Sequence, residues 1–223
     1  MAQPITVYMH GRSPNPWKVV MILEELSLPY TVKSVPYDKI KSEPFISVNP
    51  NGRLPAIEDP NTGITLWESG AIVEYLVETY DKDHKISFTA GTTDYFLAKQ
   101  YLHFQMSGQG PYFGQAVWFL KFHSETVVSA QERYINEIKR VTGVLEGILK
   151  GKEFLVGGKL SYADVAFLPW YSLVESPLFG GKVDLAKDYP SVKAWLDRTQ
   201  ASNGVAKALK YQEELVAAEE QNQ

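Results

Sequence analysis

A change of hydrophobic period near residue 94 divides this chain into two parts. Before that point, short runs with a two-residue alternation, such as those at 5–10 and 30–37, are separated by helical patterns. Beyond it, apolar residues recur at three- and four-residue spacing, as in Tyr95, Ala98 and Leu102. Since strands repeat every two residues and helices every 3.6, the first part predicts a sheet with helices, and the second predicts a helical domain.

The order of elements in the first part is βαβ followed by ββα, which is the thioredoxin-like α/β arrangement. We predict strands at 5–10, 30–37, 56–59 and 64–67 and helices at 16–27, 43–48 and 69–79. The predicted domains are residues 1–81 and an all-α domain at 94–223, joined by a linker at 82–93. The predicted C-terminal helices cover 94–107, 115–122, 125–149, 162–174, 190–200 and 204–220.

Composition narrows the function classes. The net charge is −4 and no basic run is present, so we expect no nucleic-acid partner. No apolar run is long enough to span a membrane and no leader pattern is evident, which makes a cytoplasmic location the expectation. The four histidines lack metal-ligand spacing, so we expect no metal. Cysteine is absent, and any thiol chemistry must therefore use a thiol carried by a ligand.

Three smaller patterns carry structural predictions. Acidic pairs at 213–214 and 219–220 predict a solvated face on a fraying terminal helix. The GxxxG spacing of Gly143 and Gly147 predicts close helix packing. The glycine- and proline-rich run at 108–111 follows a helical segment rather than a strand, which predicts a helix break and not a nucleotide loop.

The segment NPNGRLPAIEDPNTGITLWESGAI, at 49–72, carries the clearest functional pattern. Pro55 stands at the start of a strand, where the neighbouring backbone is open to a partner outside the chain. Glu68 precedes Ser69, which we predict to be the N-cap of the next helix, with its orphan N–H groups aimed at an anion. An acid, a helix N-terminus and a strand edge together suit a small zwitterionic peptide.

Leu54-Pro55, Ile57 and Glu68-Ser69-Gly70-Ala71-Ile72, at this spacing, resemble the N-terminal domain of the glutathione transferase superfamily. The capping box formed by Ser161 and Asp164 extends the resemblance to the C-terminal domain, and there we assign Asp164 to folding. The resemblance implies glutathione or glutathione disulfide as co-substrate and a homodimer. It also implies a set of glutathione contacts: Glu68 and Ser69 with the γ-glutamyl group, Leu54 with the cysteinyl backbone, and Lys41 and Arg53 with the carboxylates.

We expect the residue that stabilises the glutathione thiolate to lie in the loop after the first strand. Tyr8 lies within the strand and is more typical of a core residue, while Ser13 has the hydroxyl that serine-type transferases use. We favour Asn15, which we predict to be the N-cap of the first helix because Pro16 suits the first helical position. Its amide has both an acceptor for the helix and a donor for sulfur. A purely structural cap is the alternative.

A narrower resemblance supports Asn15. The runs Ser13-Pro14-Asn15-Pro16-Trp17-Lys18, 45–51, 67–72 and 104–115 look like those of the bacterial nu-class transferases and the fungal proteins similar to the yeast nitrogen-regulatory homologue. This resemblance implies that Asn15, assisted by Ser13, approaches the sulfur, and that the protein is a disulfide-bond oxidoreductase. Gln105, Phe113 and Trp118 are candidates for a second-substrate pocket.

The sequence therefore predicts a glutathione-dependent transferase with disulfide reductase activity and an expected role in detoxification. Its substrate would be a small electrophile or a disulfide. The alternatives are a conventional conjugating transferase, a peroxidase, or a non-catalytic glutathione-binding or regulatory protein. The sequence alone does not separate these activities.

Overall fold

The computed structural model describes residues 2–221, which form two compact units. Within that range, the first unit takes its residues from Met1–Ile86 and Ala201–Gln223, and the second is Ser87–Gln200. The last helix therefore belongs with the N-terminal unit, whereas the sequence pattern grouped it with the other C-terminal helices.

The elements of the first unit are β1 (Ile5–Met9), α1 (Pro14–Glu25), β2 (Tyr30–Ser34), α2 (Phe45–Val48), β3 (Ala56–Asp59), β4 (Ile64–Trp67) and α3 (Ser69–Tyr80). The second unit contains α4 (Thr93–Phe104), α5 (Gly110–Val117), α6 (Val128–Leu149), α7 (Tyr162–Val174), α8 (Leu185–Asp188) and α9 (Pro190–Gln200). The chain returns to the first unit with α10 (Asn203–Gln221). None of these helices is long and apolar enough to cross a membrane.

The sheet of the first unit has the strand order β2-β1-β3-β4. β1 is parallel to β2, and the other two pairings are antiparallel. This mixed sheet with its helices confirms the predicted thioredoxin-like fold. α1 is buried along almost its whole length and packs against α3 and α10. Its run of apolar residues is therefore explained by contact on several sides, as expected for a helix that is hydrophobic all round.

One nearly continuous helix occupies residues 93–122 of the second unit. Two π-helical stretches, Gln105–Gln109 and Trp118–Phe122, flank α5. The predicted helix break at 108–111 is therefore wrong. The Gly110 N–H donates to the Gln105 carbonyl across the widened turn, and Pro111, which has no N–H to donate, follows Gly110 directly.

The predicted capping box at the start of α7 is confirmed. Asp164 is fully buried, and its carboxylate accepts hydrogen bonds from the Ser161 N–H at 2.9 Å and the Ser161 hydroxyl at 2.7 Å. The Leu155 N–H and the Trp195 indole, both at 2.9 Å, complete four donors. Burial raises the pKa of Asp164. This carboxylate joins three segments of the second unit, which is a structural role.

The predicted close packing at Gly143 and Gly147 is wrong. Both glycines lie on the exposed face of α6. A Cβ at Gly147 would meet nothing within 4 Å, and one at Gly143 would meet only the Tyr189 ring, at 4.0 Å. The spacing of small residues therefore reflects no close helix contact in this unit.

Candidate functional site

The register of the sheet brings three functional segments of the first unit to one edge. Tyr8 of β1 pairs with Ala56 of β3, and Ala56 pairs with Trp67 of β4. Because these three residues stand side by side, the loop after β1, the residues before β3 and the residues after β4 are neighbours. Leu54, Glu68 and Ser69, which we predict to contact glutathione, and the loop of Ser13 and Asn15 therefore lie at this same edge.

The first helix begins two residues earlier than predicted, and its N-cap is Ser13 rather than Asn15. Pro14 is the first helical residue, and Ser13 has the extended conformation (φ −84°, ψ 122°) that a following proline favours. The preference for an extended residue before proline predicted the cap at Asn15, before Pro16. In the structure this preference is met at Ser13, before Pro14. Asn15 is therefore the second helical residue and half-buried, where its backbone N–H is one of the orphan donors of the first turn.

Ser13 is held in a small polar cluster that the sequence did not reveal. Its hydroxyl lies 2.8 Å from the Tyr37 hydroxyl, and its N–H donates to the His10 carbonyl at 2.9 Å. The Tyr37 ring stacks on His10 with a centroid distance of 4.2 Å, although Tyr37 is 51% exposed. A single tyrosine in the loop after β2 has no spacing signal, so only the structure links Tyr37 to Ser13.

The Tyr8 hydroxyl has two hydrogen-bond partners outside the Ser13 loop. Its hydroxyl donates to Glu58 at 2.7 Å and accepts from the Lys33 ammonium at 3.2 Å. The ring is 4% exposed and packs in a cluster that includes Phe45. Burial raises the pKa of Tyr8. These contacts favour the interpretation of Tyr8 as a core residue.

The loop before β3 is shaped by the buried Asn49. Its side-chain N–H donates to the Arg53 carbonyl at 2.6 Å, and its oxygen accepts from the Asn51 N–H at 2.9 Å. The Leu54–Pro55 peptide bond that follows is cis. Asn49 thus sets the path of the chain into the residue predicted to pair with the cysteinyl backbone.

The two predicted carboxylate-binding cations lie near each other. Gly52 adopts a positive φ of 60°, and a Cβ built there would lie 3.2 Å from Cγ of Lys41. Arg53 follows Gly52 directly, and both cations are exposed. Lys41 and Arg53 are therefore available to an anionic group.

Glu68 has an unusual backbone conformation for a residue with a side chain. Its φ is 72°, and it occupies the N-cap position of α3, so the prediction that Ser69 caps this helix is wrong. Ser69 is the first helical residue and is 3% exposed. The Glu68 carboxylate is exposed, and the Asn51 amide lies 3.5 Å from it. Backbone outliers of this kind concentrate at functional positions.

Lys18 is a buried cation beneath the start of α3. It is 1% exposed, and its ammonium donates to the Ser69 hydroxyl at 3.0 Å. Burial lowers the pKa of Lys18 to about 7, and the nearby Glu68 carboxylate partly opposes this shift. Sequence reasoning assigned no role to this lysine. In the sequence, Lys18 stands out as a charged residue inside the apolar helical run WKVVMIL, which could have indicated a buried cation.

The candidate second-substrate residues are not brought together on an open surface. Gln105 is fully buried and donates to Gln109 at 3.0 Å, and Phe113 is fully buried with an edge contact to Tyr171. Trp118 is 49% exposed. Helical spacing identified residues that share a helix but did not tell the core face from the accessible one. Gln105 and Phe113 pack the interior of the second unit, which gives no support to their predicted place in a pocket.

The geometry suits an ionic peptide better than a metal ion. An exposed carboxylate, a helix N-terminus with a buried serine and lysine, two exposed cations and a loop hydroxyl stand along one sheet edge. Across residues 2–221, no three His, Cys, Asp or Glu side chains form a group that could hold a metal. The arrangement matches separate ammonium, carboxylate and thiol groups on one ligand.

Two family models match the chain. The model for the glutathione S-transferase N-terminal domain covers residues 12–79, and that for the glutathione S-transferase C-terminal domain covers residues 111–203. The chain is 55% identical to the glutathione S-transferase-like protein tpcF of Aspergillus fumigatus over 215 residues, which is 93% of this chain and 95% of the relative.

Solved structures of fungal transferases have the same fold. Glutathione transferase URE2P6 of Phanerochaete chrysosporium, in complex with oxidized glutathione, has a TM-score of 0.90 and 43% identity over 96% of this chain and 98% of its own. Ure2p5 of the same fungus was cocrystallized with 1-(S-glutathionyl)-2,4-dinitrobenzene. It has a TM-score of 0.88 and 40% identity, over 97% of this chain and 98% of its own.

Proposed function

Because this chain belongs to the glutathione S-transferase family, we propose that it binds glutathione at the edge of its sheet and uses the glutathione thiolate to reduce disulfides. The observation that carries the proposal is the convergence of Glu68, Ser69 and the Ser13 loop at that edge. The chain has no cysteine, so the nucleophilic sulfur comes from the ligand. A homodimer, as the family resemblance implies, is part of the same proposal.

The peptide would lie with its γ-glutamyl end at the start of α3. Glu68 would receive the ammonium, and Ser69 with the first N–H groups of α3 would bind the α-carboxylate. The backbone of Leu54 would pair with the cysteinyl residue as an added strand. Lys41 and Arg53 would face the glycyl carboxylate, which suits their exposure near Gly52.

Thiolate stabilisation requires a donor near the sulfur. A free thiol has a pKa near 8.5, and lowering it by about two units requires about 2.7 kcal/mol. A hydrogen bond to a charged acceptor contributes about 1.5–3 kcal/mol, so one donor is sufficient. Asn15, in the first turn of α1, would supply it through its amide, and the Ser13 hydroxyl would assist.

The disulfide reaction proceeds by two exchanges. The glutathione thiolate attacks one sulfur of the substrate, the substrate S–S bond breaks, and one substrate thiolate leaves and takes up a proton. A second glutathione thiolate then attacks the glutathionyl sulfur of the mixed disulfide. This step releases the second substrate thiol and forms glutathione disulfide. The oxidized glutathione in the URE2P6 complex is the type of product that this scheme forms.

Conjugation is the second candidate. The structure of Ure2p5 with 1-(S-glutathionyl)-2,4-dinitrobenzene holds the product of attack by a glutathione sulfur on an aromatic carbon. The same bound thiolate would serve both reactions, since each begins with the sulfur as nucleophile. The activities differ in the electrophile and not in the glutathione site.

The test compares reduction of 2-hydroxyethyl disulfide with conjugation of chlorodinitrobenzene. We expect Asn15→Ala to lower disulfide turnover roughly 10- to 100-fold, the loss of one charge-assisted hydrogen bond. Ser13→Ala should lower it less, because Ser13 only assists. Tyr8→Phe is the control and should leave it unchanged, since Tyr8 bonds to Glu58 and Lys33.

The outcomes separate the candidates. Turnover in Asn15→Ala equal to wild type would reject Asn15 as the donor. Glutathione binding in calorimetry without turnover of either substrate would favour a non-catalytic binding protein. If the wild type takes up neither glutathione nor its disulfide at millimolar concentration, the proposed function is wrong.

A further inference from the structure

The end of α10 reaches back to the loop that holds the proposed thiol donors. The Glu219 carboxylate accepts from the Gly11 N–H, with both oxygens at 3.1 Å, and from the Ser34 hydroxyl at 2.8 Å. Its side chain is only 14% exposed. The prediction of a solvated acidic face is therefore wrong for Glu219, although Glu213 and Glu214 on the same helix are exposed.

Two further side-chain contacts surround this attachment. The Nδ1 atom of His10 lies 3.2 Å from the Glu219 carboxylate, and Arg12 pairs with Glu220. A Cβ at Gly11 would lie 2.8 Å from Glu219 and 3.1 Å from Val216. Alanine at this position would therefore require the Glu219 and Val216 side chains to shift.

The loop is held on its carbonyl side as well. The Trp17 indole donates to the Gly11 carbonyl at 2.6 Å, and the Trp17 ring makes an edge contact with Tyr211 of α10. The start of α10 is fixed to α1, because the Glu25 carboxylate accepts from the Val205 N–H at 3.0 Å. Helix α10 is thus anchored at its beginning, middle and end within the first unit.

The fixed residues lead directly to Ser13. Gly11 is two residues before it, and the Ser13 N–H donates to His10, which lies against Glu219. Tyr37, stacked on His10, is within hydrogen-bond distance of the Ser13 hydroxyl. A shift of His10 and Gly11 would therefore move Ser13 and the start of α1.

We propose that Glu219 is a positioning residue, which holds the loop 10–13 in the conformation that directs Ser13 and Asn15 at the glutathione sulfur. The inference rests on the proposed function. Glu219 contacts this loop and β2, whereas the proposed γ-glutamyl contacts, Glu68 and Ser69, lie at the start of α3. Its loss should therefore lower turnover and thiolate formation and leave glutathione affinity nearly unchanged.

The experiment compares Glu219→Ala, Glu219→Gln and the control Glu213→Gln, an exposed position on the same helix. Disulfide reduction gives kcat and KM, calorimetry gives the glutathione affinity, and ultraviolet absorbance of the thiolate against pH reports its ionisation. We expect Glu219→Ala to lower kcat roughly tenfold through misplaced donors, with glutathione affinity within about twofold of wild type. Glu219→Gln keeps a hydrogen-bond acceptor for Gly11 and should recover part of kcat.

Hydrogen exchange supplies a readout that needs no activity. The Gly11 N–H should exchange faster in Glu219→Ala than in wild type and at the wild-type rate in Glu213→Gln. The inference would be overturned if a folded Glu219→Ala protein kept the wild-type kcat or the wild-type exchange rate at Gly11. If Glu219→Ala does not fold, Glu219→Gln decides: equal losses of kcat and affinity would reduce Glu219 to a general stabilising role. An inactive wild type would instead defeat the proposed function, while the exchange measurement would still test the loop contact.

Discussion

Lys18 is a charged residue in a position that the helix pattern assigns to the core. Its ammonium is buried beneath the start of α3 and bonds to Ser69, one of the proposed glutathione contacts. A buried cation costs free energy that an apolar residue would not. We infer that the lysine supports the position of Ser69 and adds positive potential where the α-carboxylate of the peptide would lie.

This burial predicts a specific pH dependence of stability. The pKa of Lys18 is lowered to about 7, while in the unfolded chain it keeps its ordinary value of 10.5. Between these values the unfolded chain binds the extra proton, so the stability of the wild type relative to Lys18→Met should rise with pH. The total change should be on the order of several kcal/mol. Below pH 7 both states hold the proton and the difference should be constant.

Urea unfolding of wild type, Lys18→Met and Lys210→Met from about pH 6 to about pH 10 checks this prediction. Lys210 is exposed on α10, so its variant should follow the wild type across the range. A stability difference between wild type and Lys18→Met that does not change with pH would contradict the buried lysine.

The sequence predicted the residue types of the candidate site better than their local roles. Ser13, Glu68 and Ser69 all lie at the predicted sheet edge, yet the caps of α1 and α3 are displaced from their predicted positions. Two prolines in SPNPW both suit the first turn of a helix, and propensity alone does not tell which one starts it. Tyr37 and Glu219 stayed undetected because their partners lie far away in sequence.

At the level of elements, α1 and α10 pack with almost no space between them. A Cβ at Gly204 would lie 2.5 Å from the Glu25 nitrogen and 2.7 Å from the Glu25 Cα. Both atoms belong to the backbone of α1, and backbone atoms cannot move aside by a change of side-chain rotamer. Glycine at position 204 thus permits this close approach of the two helices.

Gly204→Ala should therefore destabilise the protein by about 1–3 kcal/mol, the usual cost of overpacking. Gly147→Ala is the matched control. It lies inside α6 with open space around its Cβ, so alanine should stabilise the helix by up to about 1 kcal/mol. Urea midpoints of both variants against wild type measure the two effects. Similar shifts in the two variants would show that helix propensity, rather than the contact with α1, decides the outcome at Gly204.

Most long helices of the second unit agree with the hydrophobic period to within a few residues. The structure has helices at 128–149, 162–174 and 190–200, close to their predicted bounds. The π-helical stretches and the four-residue α8 were not predicted. Their extent is set by single hydrogen bonds and by tertiary packing, and neither leaves a periodic pattern in the sequence.

At the level of the whole molecule, the first unit is discontinuous in sequence. It combines the residues before 87 with those from 201 onward. The hydrophobic period predicted the type and bounds of α10. It did not predict what α10 packs against, because an amphipathic pattern shows which face of a helix is buried and not which surface buries it. The contacts of Glu25 with Val205 and of Gly11 with Glu219 span most of the chain and supply this information.

A chain ending at residue 200 should therefore lose glutathione binding, even though every proposed glutathione-contact residue lies before residue 87. Without α10, one side of the apolar α1 is uncovered, Trp17 loses Tyr211, and the loop at Gly11 loses Glu219. Hydrogen exchange should show faster exchange in residues 2–86 and near wild-type protection in 87–200, because the second unit has its own core. Calorimetry with glutathione, on the shortened and the full chain, measures binding. Wild-type affinity in the shortened chain would show that residues 2–86 form the site unaided, and α10 would then be only a packing element of the first unit.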